Sequence, residues 1–324
     1  MQLKTTALVN VLVTGAGGFV GGHLLTYLSA HTTWKIYGNA HVVPAWAADA
    51  PDVEWCTADL TDRQGVQEAV ERVRPHYVFH LAAQSNVQHA FRDPAGTIMN
   101  NVVGQLHLLD ALREVVPQAT VLVVCSSEQY GLVKSDDIPI DEETPFRPNN
   151  PYAVSKIAQD ALAAQYFFSY GQHVVRVRPF NHIGPGQTEH FVASAFAQQV
   201  ARIEAGLQEP VIHVGNLEAE RDFTDVRDMV RAYHLAITLG EAGEVYNIGS
   251  GHKYKMQWLL DTFIAMSDVK VQVEQDAARM RPSDIPILVC DPGRFYKQTG
   301  WQVEIPLEQT LRDILQYWRV RVKA

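Results

Sequence analysis

The chain has 324 residues, 47% of them hydrophobic, enough for a large buried core in one large domain or two of ordinary size. With 36 acidic against 27 basic residues its formal net charge is -9, and it has no Lys/Arg run. General electrostatic attraction to nucleic acid or anionic lipid is thereby excluded, and any anionic ligand must be held by a few placed donors.

Short apolar strands alternate with amphipathic helices from the start, the pattern of a parallel sheet covered on both faces. LVNVLVTG (8–15) reads as the first strand and GFVGGHLLTYLSA (18–30) as the first helix. TWKIYGN (33–39) and VEWCTADL (53–60) follow as strands, residues 61–74 as a helix, and HYVFHLAA (76–83) as the fourth strand. A single long helix is predicted over 94–116, then the strand ATVLVVCSS (119–127), a polar loop (136–151), the helix 152–170 and the strand HVVRVRPF (173–180). Pro and Gly cluster at 179–186, where the character changes. Beyond it, helices are predicted near 192–206, 226–239, 255–266 and 306–320, with short strands between them. No repeat or long linker is present, so the second region should pack on the first.

Three scattered cysteines, Cys56, Cys125 and Cys290, make no C-x-x-C and no disulfide framework. Thirteen histidines include no H-E-x-x-H, so no metal is expected. The apolar run at 7–13 is too short and too interrupted for a signal peptide core, and nothing approaches a membrane span of about 20 residues. The expectation is a soluble cytoplasmic protein.

In TGAGGFVG, Gly15, Gly18 and Gly21 stand three apart between a strand and a helix. Glycine there permits a tight turn, close approach of backbone to a pyrophosphate, and free N–H groups at the helix N-terminus. An ordinary strand–helix turn is the bland alternative. The second strand ends in Gly38, Asn39, Ala40 and His41. It offers neither the acid that binds an adenosine ribose nor a clear cation for a 2′-phosphate, so use of both NADH and NADPH is expected.

In PYAVSK, Tyr152 and Lys156 are four apart and share a helix face. A fixed ammonium near a phenol lowers the phenol's pKa and makes it an acid or base near neutrality. A partly exposed amphipathic helix would show the same spacing.

TGAGGFVG, HLAAQS, CSSEQYG and PYAVSK, in that order and spacing, resemble the extended short-chain dehydrogenases/reductases that act on nucleotide-diphosphate sugars. The resemblance implies a Rossmann-type doubly wound α/β cofactor domain (1–180, with a segment about 221–248 returning to it) and a smaller α/β sugar-nucleotide domain (181–324). It implies Ser126, Tyr152 and Lys156 as catalytic residues, with Glu128 beside them. Gly15, Gly18, Phe19, Val20, Gly21, Asn39, Asp59, Leu60, Leu81, Ala82 and Ala83, together with Tyr152 and Lys156, would hold NAD(P)H. Asn101 would give local support.

RPFNHIGPGQ (178–187), VGNLEAERDFTDVRD (214–228) and RPSDIP (281–286) are similar to GDP-mannose 4,6-dehydratases and their relatives, the GDP-4-keto-6-deoxymannose reductases. That similarity implies a GDP-sugar substrate held by Gln84, Ser85, Ser127, Asn181, Val192, Val214, Asn216, Arg221, Arg281 and Asp284. Arg221 and Arg281 carry guanidinium forks suited to phosphate oxygens, although Arg221, between Glu220 and Asp222, could equally form a surface ion pair.

In the dehydratases a Glu at the place of Glu128 is the base at C5; the alternative is a carboxylate hydrogen-bonded locally. The GAGGFVGGHL loop, the missing basic cluster after the second strand and the reductase-like ending TGWQVEIPLEQTLRDILQYWR favour a reductase. A dehydratase, another sugar-nucleotide 4-epimerase and a non-catalytic nucleotide-binding regulator stay open, the last disfavoured by the intact Ser126, Tyr152 and Lys156. Apolar residues on several faces of the helices 94–116 and 152–170, among them Leu106, Leu109, Phe167 and Phe168, fit either a monomer core or a homodimer through four helices.

Overall fold

The computed structural model describes residues 8–50, 52–279 and 285–323. The chain runs through β1 (Asn10–Thr14), α1 (Phe19–His31), β2 (Lys35–Asn39), β3 (Val53–Cys56), α2 (Arg63–Val73), β4 (Tyr77–His80), α3 (Val87–Arg92) and α4 (Pro94–Ile98). It continues with α5 (Gly104–Val115), β5 (Thr120–Val124), α6 (Pro151–Tyr170), β6 (Val174–Pro179), β7 (Asn181–Ile183), α7 (Val192–Glu204), β8 (Val211–Val214) and β9 (Glu220–Asp225). It ends in α8 (Val226–Leu239), β10 (Val245–Ile248), β11 (Lys253–Lys255), α9 (Met256–Ala265), β12 (Gln272–Gln275), β13 (Ile287–Leu288), α10 (Gly293–Thr299) and α11 (Leu307–Arg321).

Seven strands form one parallel sheet in the order β10-β6-β5-β4-β1-β2-β3. Because strand residues alternate between faces, Val11, Val13, Leu122, Val175 and Val177 enter one core, covered by Leu24, Leu25 and Leu28 of α1 and Met229, Val230 and Tyr233 of α8. Leu12, Val78, Val121, Val123 and Val174 enter the other, covered by Val66, Val70 and Val73 of α2, Leu108, Leu109 and Leu112 of α5, and Ala163 and Tyr166 of α6. Both faces are therefore apolar, which is why these strands read as continuous hydrophobic runs. The strand order reverses between β1 and β4, and a doubly wound sheet opens a crevice at such a point.

After Pro179 the chain leaves this sheet. β9 pairs with β11 antiparallel and with β13 and β7 in parallel, while β8 pairs with β12. α7, α9 and α11 close a third core around Phe196, Leu259, Phe263, Leu311 and Ile314. β10 returns beside β6 as the edge of the large sheet.

α6, which bears Tyr152 and Lys156, shows how local signals set an element. Asn150 caps it by accepting from the Ala153 amide at 2.8 Å, and Pro151 occupies the first turn. Gly171, at φ +67°, ends it in the left-handed region.

The predicted helix over 94–116 is divided. A π-helical turn at Met99–Val103 separates α4 from α5. It presents Asn101 inward, fully buried, where its side chain accepts from the Gln84 amide (2.7 Å) and donates to Gln84 O (3.1 Å) and Ser155 Oγ (3.0 Å). Hydrophobic periodicity carries no sign of such a turn, since it costs only one register step. The strand predicted over 53–60 is also shorter and stops at Cys56. Cys56, Cys125 and Cys290 are all buried free thiols. Among the described residues no helix is long and apolar enough to cross a membrane, and no group of three or more His, Cys, Asp or Glu is placed to hold a metal.

Candidate active site

A cleft of about 1120 Å³ opens at the C-terminal ends of β1, β4 and β5 and extends to α7 and β8. Its floor begins at the glycine turn. Gly15 has φ +72°, and a Cβ there would lie 2.8 Å from the Ala82 nitrogen; a Cβ on Gly21 would lie 2.3 Å from Gly15 O. α1 starts from Gly18 with no side-chain cap, so its first N–H groups are available to an anion. Phe19, Val20, Leu60, Leu81, Ala82 and Ala83 line the same part of the cleft.

Two residues expected at the cofactor have other partners. Asn39 lines the cleft, but its amide donates to Ala58 O (3.1 Å) and accepts from Ala58 N (2.9 Å), clamping the end of β2 to the chain after β3. Asp59 stands outside the cleft lining, its Oδ1 accepting from Thr61 N (2.8 Å) and Thr61 Oγ1 (2.7 Å) at the entry to α2.

The strand end that carries Ser126 turns at once into a short 3₁₀ helix, Ser127–Tyr130. Ser126 Oγ accepts from Glu128 N at 3.2 Å, while Gln129 Oε1 accepts from Ser126 N at 3.0 Å. This reciprocal cap fixes the serine on both sides and leaves its hydroxyl hydrogen for another acceptor. Ser126 faces the phenol of Tyr152, which is buried. Glu128 Oε2 accepts from Asn150 Nδ2 at 3.3 Å. The carboxylate is thus both in the cleft and tied to the cap of α6.

Lys156 projects from the next turn of α6, with Nζ 2.8 Å from Val124 O and 6.0 Å from the centre of the Tyr152 ring. The expected lowering of the phenol by this ammonium is not what the structure holds. Burial pushes Tyr152 up, and the Ser126 hydroxyl only partly opposes it. Burial likewise brings Lys156 down to about 8, opposed by Cys125. Desolvation penalises the charged form of each group and is the leading cause of both shifts. At neutral pH the pair is a loaded phenol beside a lysine that still carries its proton.

Further out, Gln84, Ser85, Ser127, Asn181, Val192, Val214, Asn216 and Arg221 all line the cleft. The Gln84 side chain is engaged within its own loop, donating to Asn86 O at 3.1 Å and accepting from Asn86 N. Arg221 is 7% exposed, and its Nη1 donates to Glu220 O (2.9 Å) and Pro286 O (3.4 Å). It sits in the cleft wall rather than on the open surface. Arg281 and Asp284 lie outside the described residues. His182, Gln187 and Arg279 also line the cleft; the first two lie within RPFNHIGPGQ without having been singled out, and Arg279 belongs to no motif. Asn150 had a readable signal, Asn before Pro at a helix start.

A family model described as GDP-mannose 4,6 dehydratase matches residues 12–314. A GDP-6-deoxy-D-mannose reductase of Pseudomonas aeruginosa is 40% identical over 97% of this chain and 98% of that protein. A GDP-mannose 4,6-dehydratase of Sinorhizobium fredii is 28% identical over 81% and 80%. Among solved structures, RMD from Pseudomonas aeruginosa complexed with NADPH superposes with a TM-score of 0.84 at 37% identity, covering 97% of this chain and 100% of that one. A Thermus thermophilus UDP-glucose 4-epimerase in complex with NAD gives 0.85 at 28% identity, covering 95% and 98%.

Lys156 supplies a direct check on this electrostatic picture. Carbon-13 NMR of ε-labelled lysine should show one resonance titrating near pH 8, absent in Lys156→Arg, while exposed lysines titrate near the usual value of about 10.4. A Lys156 value at or above 10 would show that burial is not the dominant effect.

Proposed function

The chain belongs to the GDP-mannose 4,6-dehydratase family, and within it we propose an NAD(P)H-dependent reductase of the C4 ketone of GDP-4-keto-6-deoxy-D-mannose. The product would be GDP-D-rhamnose or its C4 epimer, GDP-6-deoxy-D-talose. The observation that carries the choice of reductase is the end-to-end likeness to the Pseudomonas reductase.

The glycine turn fits a dinucleotide: side chains are excluded where backbone must approach a pyrophosphate, and the N-terminus of α1 faces that place. Gly15, Gly18, Phe19, Val20 and Gly21 would hold the pyrophosphate part, and Leu81, Ala82, Ala83, Tyr152 and Lys156 the part beyond it. Bound there, the reduced nicotinamide would supply the hydride. The remaining work belongs to the chain. Tyr152, protonated at neutral pH, gives its proton to the ketone oxygen. Ser126, held by Glu128 N and Gln129, directs its hydroxyl hydrogen at the same oxygen. Lys156 keeps a positive charge within reach of the phenolate that results. Such an acid contributes on the order of 10²–10⁴ to turnover.

In this reading residues 1–180, with a segment about 221–248 returning, serve the cofactor, and 181–324 mainly serve the GDP-sugar. Arg221 and Asn181 are its described polar candidates for the diphosphate. Either NADH or NADPH is accepted, because no cleft-lining carboxylate stands at the end of β2 to repel a 2′-phosphate. The buried free thiols support a cytoplasmic location.

A homodimer is part of the proposal, and the exposed apolar residues favour one helical face for it. Leu109 is fully buried in the core, and Leu106 packs against that core. Phe167 lies against Gly243. Phe168 remains, 77% exposed, and Ile98, Met99 and Val154 are 40%, 52% and 45% exposed on the neighbouring helical surface. α4, the π turn and α6 can pair with their copies about a two-fold axis. Sedimentation equilibrium at micromolar concentration should give the mass of two chains, and Phe168→Glu should give one. A wild-type monomer at that concentration would end the dimer proposal.

A second reading, a dehydratase with Glu128 as C5 base, rests on the place of that carboxylate in the cleft. The two are separated by incubating the enzyme with GDP-mannose and no reductant. A reductase leaves it unchanged, and Glu128→Gln reduces the 4-ketone at close to the wild-type rate. Catalytic build-up of a 4-keto product, abolished in Glu128→Gln, would assign the dehydratase instead.

A further inference from the structure

Tyr233 lies at the middle of α8, on the face of the large sheet that α1 also covers, in one core with Ala16, Phe79, Leu122 and Val177. A tyrosine at this position should behave as a phenylalanine would, filling space between β4, β5 and β6. Its hydroxyl does not fit that role. It is completely buried and has no hydrogen-bond partner. Leaving a buried hydroxyl unsatisfied is costly, and a native core rarely keeps one without a reason.

The ring also lines the cleft. Of the described residues with a buried, unpartnered side-chain polar atom, only Tyr233 and Gln187 do so. Tyr152 and Cys125 are the groups whose charge Tyr233 feels, with burial the larger effect in raising its own pKa. Tyr233 therefore stands at the cleft close to Tyr152, one of the residues proposed to handle the ketone. It reaches the cleft from the α1 side, whereas Tyr152 comes from α6 on the opposite face. A hydride donor and a proton donor must converge on one carbonyl. With Tyr152 as proton donor on the α6 side, the glycine-turn side is left for the nicotinamide.

We propose that the Tyr233 hydroxyl is a hydrogen-bonding contact for the nicotinamide end of the cofactor, its carboxamide being the polar group available there. The inference rests on the NAD(P)H reading above and adds a residue that belongs to none of the sequence motifs. In this role Tyr233 is a positioning residue: it fixes which way the ring lies and takes no part in the proton transfer.

The test compares Tyr233→Phe with wild type by calorimetric titration of NADPH and of 2′-phospho-ADP-ribose, which lacks the nicotinamide, together with thermal unfolding of the free protein. NADPH should bind roughly 3- to 10-fold more weakly to the variant, the range for one lost hydrogen bond. The fragment should bind both proteins equally. The free variant should melt at or above the wild-type temperature, since an unsatisfied hydroxyl has been removed. Tyr233→Met gives the same comparison if the Phe variant does not fold. Unchanged NADPH affinity, an equal loss for NADPH and fragment, or a lowered melting temperature would overturn the proposal. A wild-type protein that binds neither NADPH nor NADH would overturn the cofactor reading itself.

Discussion

The arrangement around the Ser126 turn depends on one buried carboxylate. Asp160, on α6 one turn beyond Lys156, accepts from Arg176 Nη1 at 2.6 Å, Arg178 Nε at 2.7 Å and Gln129 Nε2 at 3.1 Å. Burial favours its neutral form, but Arg178, Arg176 and Gln129 outweigh that and hold the carboxyl below its usual range. Its contribution to stability is therefore present above the unfolded value of about 3.9 and is lost as pH falls through the lower folded value. Removing one partner from such a pair costs about 3–5 kcal/mol, because a charge is left buried alone.

From this point the fixing of the site can be followed outward. Gln129 uses both ends of its amide: the oxygen accepts from Ser126 N, and the nitrogen donates to Asp160. Glu at that position would lack the donor and add a charge beside Asp160, and an apolar side chain would lack both. Arg178 reaches Tyr130 OH at 2.9 Å, and Tyr130 OH donates to Asn247 Oδ1 at 2.7 Å. Asn247 N in turn donates to Glu142 Oε1 at 2.7 Å. Strands β6 and β10, the helix of Tyr152 and the turn of Ser126 are thus tied by one buried polar chain.

Most of the sheet and the glycine turn were legible in the sequence because they obey local rules: alternation, helix period, and glycine where a Cβ would collide. The Tyr152 and Lys156 pair was legible as positions but not as electrostatics, since spacing along a helix says nothing about desolvation. Leu109 and Phe168 look equivalent as letters, yet one is in the core and the other on the surface. The π turn at Met99–Val103, the clamp of Asn39 on Ala58 and the Asp160 network depend on partners as far as 117 residues away in sequence. No single-segment pattern contains them.

The central claim is that hydride passes from the nicotinamide to C4 of the sugar and stays there. Supplying GDP-4-keto-6-deoxy-D-mannose with NADPH deuterated at the transferable C4 position, and reading the product by NMR, tests this directly. The account predicts one deuterium at the sugar C4 per cofactor oxidised, with the C4 configuration read from the same spectrum. Deuterium at C6, or turnover with no net oxidation of the cofactor, would contradict it.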